Sequence, residues 1–155
     1  IVVTGHRLAD FQHPLDAFGL VIPHLEQRNI LAVSFTSRKF PGRAPDGHIL
    51  LRTFVGGAMQ PELLQHDDER LKELVDAELR DILGMSAPAM FSHVVRYDNA
   101  MPQYHVGHLE RVARIEEHCA EHEGLHIAGN AYRGVGIPDS IASGREAAEQ
   151  CLSPA

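Results

Sequence analysis

The chain of 155 residues carries a formal charge of −7, with 14 Lys and Arg against 21 Asp and Glu, and 44% of its residues are apolar. A chain of that length buries roughly 70% of its unfolded surface, enough for a real core, while the acidic balance lacks the clustered cations of a phosphate-binding surface and sets nucleic acid aside as a partner. No apolar run reaches the roughly 18 residues of a membrane-spanning helix and no signal peptide is visible, and Cys119 and Cys151, on separate expected helices without C-x-x-C spacing, suit a reducing cytoplasm.

The first half reads as sheet. Phe18 to Pro23, Ile30 to Phe35 and His48 to Val55 are short runs rich in β-branched and aromatic residues, separated by Gln27-Arg28-Asn29 and by Pro41-Gly42-Arg43-Ala44-Pro45-Asp46-Gly47. Their close spacing favours antiparallel neighbours. Gly56-Gly57 ends the third run, and a helix is expected from an Asp67 N-cap to Gly84, with Leu71, Leu74, Val75, Leu79, Ile82 and Leu83 as its core stripe. Ser92 to Tyr97 is a further candidate strand. Val106 to His122 is amphipathic, with Leu109, Val112, Ala113, Cys119 and Ala120 on one face, and Gly124 stops it.

The segment from Gly124 to Glu149 is the most informative of all. Leu125 to Ala128 reads as a short buried strand, followed by a turn containing Gly129, Gly134 and Gly136, and then by a helix opening at Ile137-Pro138-Asp139 and running to about Cys151. Such a turn lets a ligand approach the main chain and aims free N–H groups at negative charge. Strand, glycine-rich turn and helix is by itself a weak signal.

The wording Ala128-Gly-Asn-Ala-Tyr-Arg-Gly-Val-Gly-Ile-Pro-Asp139, followed by Ile141-Ala-Ser-Gly-Arg-Glu-Ala-Ala148, closely resembles the C-terminal flavin-contacting motif of the FAD-dependent protoporphyrinogen oxidases, within the amine-oxidase-like flavoproteins. Three more segments resemble the same family in the same order: His13 to Pro23, Lys39 to Pro45, and Ala100-Met-Pro-Gln-Tyr-His-Val-Gly-His108. None of the 13 glycines forms the Gly-x-Gly-x-x-Gly pyrophosphate fingerprint that such enzymes carry near their start. The expectation is therefore the C-terminal portion of a longer enzyme, whose N-terminal FAD-binding half would be a partner of this chain. The resemblance implies an α+β fold: a mostly antiparallel sheet with packed helices over residues 1–103, part of a substrate-binding domain, and a helix-strand-helix piece of a Rossmann-like FAD domain over 104–155.

It also implies oxidation of protoporphyrinogen or coproporphyrinogen to the porphyrin in heme biosynthesis, with hydride passing to FAD and electrons then to dioxygen. Gly129, Asn130, Val135, Gly136, Ile137 and Leu109 match positions at the flavin, and Val21, Ser34 and Phe54 match positions against the tetrapyrrole, where Ser34 replaces a common aliphatic residue. No residue offers itself as a catalytic base. Tyr97 and Ser140 stand where relatives often have tryptophan and cysteine. Arg38, Lys39 and Arg43 read as a solvated loop, a homodimer and peripheral contact with a membrane stay open, and the expected setting is cytoplasmic. Two alternatives from other classes remain: a non-catalytic interaction module, and a zinc protein using His118 and His122 of the His118-Cys-Ala-Glu-His122 motif.

Overall fold

The computed structural model describes residues 1–152; residues 153–155, the end of the expected C-terminal segment, lie outside it. The chain divides into two compact units, Ile1–Tyr97 and a second beginning at Asp98. The first is an antiparallel sheet of β1 (Val2–Arg7), β2 (Gly19–Val21), β3 (Ala32–Phe35), β4 (His48–Phe54) and β5 (Phe91–Val94), in the order β2-β3-β4-β1-β5. All four pairings are antiparallel. A four-residue helix, α1 (Thr36–Lys39), follows β3 directly, so Arg38 is no plain loop residue: its Nε donates to the Leu15 carbonyl at 2.9 Å.

Alternation along β4 fixes the two faces. Ile49, Leu51 and Thr53 are buried while His48, Leu50, Arg52 and Phe54 are half-buried. The buried face meets α2 (Asp68–Leu83), whose Leu71, Val75, Leu79 and Leu83 join Val2, Val33, Phe35, Ile49 and Leu51 in one core. The ends of α2 match the expected caps. Asp67 accepts from the Arg70 N–H at 2.8 Å, and Gly84, at φ 64°, donates to the Arg80 carbonyl at 3.1 Å.

Two charged side chains tie loops to this layer. Glu78, buried on α2, accepts from the backbone N–H of Asn29 at 3.0 Å and from its Nδ2 at 2.9 Å, and pairs with Arg28, which also reaches Asp81. A carboxylate so placed satisfies donors in the loop between β2 and β3 that would otherwise be unpaired. Arg96 likewise donates to the carbonyls of Leu64 and His66 and to Asp68 at the start of α2.

β1 is the element that sequence patterning did not expect. Its inward residues are Val2, Thr4 and His6, so two of the three core-facing positions are polar, and Gly5 interrupts the outward row. The oxygens of Thr4 and Thr53 and both ring nitrogens of His6 find no partner among the described residues. β5 pairs with β1 only from Phe91 to Val94, beginning one residue before the expected run from Ser92 to Tyr97 and ending three residues before its end.

The second unit holds α3 (His108–Ala120) and α4 (Ile137–Leu152). The expected strand at Leu125 to Ala128 does not form. These residues carry no regular structure, because a strand is defined by a hydrogen-bonded neighbour and no strand is assigned after β5 among the described residues. Val112 is the buried apolar residue of α3, and α4 buries none. The broad apolar face expected for α3 is thus largely solvated.

Candidate functional site

Two sets of expected site residues fall in different units. In the first unit, strand register brings Val21, Ser34 and Phe54 onto one face. Ala32 pairs with Val21 on one side and with Phe54 on the other, so the three form a single row across β2, β3 and β4. Ser34 lies one row along, between Gly19 and Arg52, and therefore points the same way. This is the face opposite α2. Phe54 and Val21 lie outside the core cluster, and Val21 is 81% exposed.

That face also carries Val3, Gly5, Arg7, His48, Leu50, Arg52, Phe91 and His93, again by register. The ring of Phe91 lies across Gly5 so closely that a Cβ there would collide with it. Arg52 carries its guanidinium carbon 5.4 Å from the Phe54 ring centroid, a cation held over an aromatic face. Sequence reasoning passed over Arg52. The signal that could have found it is its place two residues before Phe54 on an alternating strand.

In the second unit, the turn before α4 is held from two directions. Tyr104 Oη donates to the Asn130 carbonyl at 2.6 Å, and His108 Nε2 donates to the Tyr132 carbonyl at 2.7 Å. The two rings stack with centroids 4.1 Å apart. An imidazole nitrogen facing a carbonyl must carry the proton, which fixes the His108 tautomer. Ser143 Oγ on α4 accepts from the Gly129 N–H at 3.0 Å. Arg133 forks onto Glu116 of α3 at 2.5 and 3.1 Å, and that hydrogen bond raises the guanidinium pKa further.

Gly134 and Gly136 both sit beneath the Asp139 side chain. A Cβ on Gly134 would lie 2.5 Å from Asp139 Oδ2, and one on Gly136 2.8 Å from it. Part of the clearance read as room for a ligand is therefore room for Asp139. The N–H groups of Val135, Gly136 and Ile137 nonetheless donate to no acceptor among the described residues. Three consecutive free donors at the start of a 16-residue helix fit an electron-rich ring edge. Ile137 is 77% exposed and Leu109 62% exposed, so neither is an ordinary core residue.

An open groove of about 980 Å³ lies beside that turn. Its walls include Cys119, Leu125, Ile127, Gly129, Ser143 and Cys151. The zinc alternative loses its geometry here. His118 is on α3, 3.7 Å from Glu121, but His122 lies beyond Ala120, the last helical residue, so the one-turn spacing that would join the two imidazoles is broken. Among the described residues no group of three His, Cys, Asp or Glu is placed to hold a metal.

The sequence profile of the flavin containing amine oxidoreductases matches residues 10–152. The chain is 32% identical over 153 residues to coproporphyrinogen III oxidase of Staphylococcus aureus, covering 98% of this chain and 33% of that protein. It is 31% identical to the mitochondrial protoporphyrinogen oxidase of Nicotiana tabacum, covering 99% of this chain and 31% of the relative. The crystal structure of a protein assigned as a protoporphyrinogen oxidase, from Exiguobacterium sp. 255-15, superposes with a TM-score of 0.80 at 32% identity, over 97% of this chain and 34% of that one. The chain thus spans about a third of the length of the relatives it matches. By sequence profile and fold together, this chain belongs to the flavin containing amine oxidoreductase family.

Proposed function

We propose that the chain is part of an FAD-dependent oxidase that converts a porphyrinogen to a porphyrin. The observation that carries this reading is the set of free N–H groups at Val135, Gly136 and Ile137, held in place by Tyr104 and His108 through the carbonyls of Asn130 and Tyr132. A flavin bound there would supply the hydride acceptor and the route to dioxygen. The chain's own part is electrostatic: preorganised main-chain donors and the positive end of α4 favour negative charge at the ring edge without moving. By the same reading Gly129, Asn130 and Leu109 would complete the flavin contacts.

Residues 1–103 then belong to the substrate-binding domain and 104–155 to the FAD domain, and the division of the chain after Tyr97 supports a boundary near residue 100. Val21, Ser34 and Phe54 would wall the macrocycle, since a large apolar ring needs a broad apolar surface and an antiparallel sheet face supplies one. The segment Leu125 to Ala128, which joins no strand, and the groove beside it mark where the remainder of the FAD domain would dock.

The test is made on the full-length protein that carries this chain. It should purify yellow, release FAD on denaturation, and consume dioxygen while porphyrin fluorescence rises from coproporphyrinogen or protoporphyrinogen, each assayed alone. Full-length protein that binds no flavin under any reconstitution condition would overturn the reading.

A further inference from the structure

Charge is segregated in the first unit. Although the chain is acidic overall, its five strands contain no Asp or Glu, and six acids of this unit, Asp68, Glu69, Glu73, Asp76, Glu78 and Asp81, are on α2, the helix that packs on the other face of the sheet. The face bearing Val21, Ser34 and Phe54 carries Arg7, His48, Arg52 and His93 as its polar ionisable groups. It is an apolar surface whose charges are all cationic or neutral.

Arg52 stands out among them. Arg28, Arg70, Arg80 and Arg96 all pair with carboxylates. Arg52 is half-buried and makes no hydrogen bond or ion pair among the described residues, its guanidinium resting over the Phe54 ring. Five N–H donors thus stand partly desolvated with no acceptor, between Ser34 on one neighbouring strand and Val3 on the other. A carboxylate arriving in the plane of that fork would recover the lost hydration through short, charge-assisted bonds.

We propose that Arg52 is the carboxylate-binding residue of this face and that the face accepts an apolar macrocycle by its acidic side chains as well as its ring. This rests on the reading of the Val21, Ser34 and Phe54 face as the substrate wall. Phe54 plays two parts: its ring lines the wall and its π face holds the Arg52 cation in place for the incoming anion.

Coproporphyrin III, with free carboxylates, and its tetramethyl ester are the probes, titrated by fluorescence in one detergent buffer against the full-length protein. Arg52→Gln should weaken binding of the free acid about tenfold or more, the loss expected for a hydrogen bond to a charged group, and leave the ester within about twofold. Arg52→Lys should recover part of the loss, and rising salt should weaken the free acid alone. Phe54→Ala should weaken both probes. If Arg52→Gln affects both probes equally or neither, while Phe54→Ala weakens both, the assignment of Arg52 fails and the wall stands. If wild-type protein binds neither probe, or Phe54→Ala changes nothing, the wall reading falls and takes Arg52 with it. Should Arg52→Gln not fold, the Lys variant and the salt titration decide, and free-acid binding indifferent to both overturns the proposal.

Discussion

His6 shows how much one residue can set. Its imidazole is 1% exposed, edge-on to the Phe11 ring, with neither nitrogen paired. Burial pushes its pKa below the ordinary value of 6.5, opposed in part by the carboxylates of Asp76 and Asp10. As pH falls below that value the unfolded chain takes up a proton that the folded chain refuses, so stability is full above about pH 6.5 and is lost on acidification toward the folded pKa. The slope from this group reaches at most about 1.4 kcal/mol per pH unit. Urea midpoints measured between pH 7.5 and 5 should fall more steeply for wild type than for His6→Leu; parallel curves would remove His6 from the account. A second residue-scale outcome concerns the turn before α4. Gly136→Glu in the full-length protein should cost flavin occupancy far more than folding, because the nearest group to its new Cβ is the flexible end of Asp139, while Asp139→Asn should be milder. Normal flavin content and reduction in Gly136→Glu would mean that the cofactor sits elsewhere.

At the scale of elements, legibility followed how much of the stabilising interaction each element carries within itself. α2 was readable to its caps because Asp67, Gly84 and the stripe at Leu71, Val75 and Leu79 are all local signals. β1 was not, because its inward Thr4 and His6 break the alternation and its place between β4 and β5 is decided by register with residues about 45 and 90 positions away. The converse error at Leu125 to Ala128 has the same cause: composition asked for a strand where the chain offers no neighbour. The common face of Val21, Ser34 and Phe54 could be proposed from resemblance, yet its unity, and the presence of Arg52 on it, required the pairings through Ala32. The link from the motif at Ala100 to His108 to the turn at Asn130 was likewise invisible, since i,i+4 spacing of Tyr104 and His108 predicts a shared side but not what lies opposite. Tyr104→Phe removes one hydrogen bond to that turn and keeps the ring stack, so the loss of stability should be about 0.5–1.5 kcal/mol. In the full-length protein the same change should loosen flavin more than it lowers the melting temperature. Unchanged flavin retention would reduce Tyr104 to a packing role.

At the scale of the whole chain, the two units differ in how far each satisfies itself. Every fully buried apolar side chain other than Val112 lies in the first unit, together with the complete ladder of β2-β3-β4-β1-β5. The second offers α3 and α4 with exposed Leu109, Ile137 and Ile141, and a segment Leu125 to Ala128 that joins no strand. Apolar burial is the main favourable term in folding, at roughly 25 cal/mol per Å² removed from water, so a unit with so little of it is held by the few polar ties around Tyr104, His108 and Arg133. Hydrogen exchange on the 155-residue chain should therefore split in two: amides of β1, β4 and α2 protected up to the global unfolding free energy, and those of α4 exchanging through local opening that costs far less. The same preparation should be colourless after gel filtration, because the donors at Val135, Gly136 and Ile137 would hold no more than one edge of a ring and no glycine pattern in the sequence seats a pyrophosphate. Protection in α4 equal to that in β4, or stoichiometric flavin retained by the chain alone, would show that the second unit finds within these residues the partner that its open surface lacks.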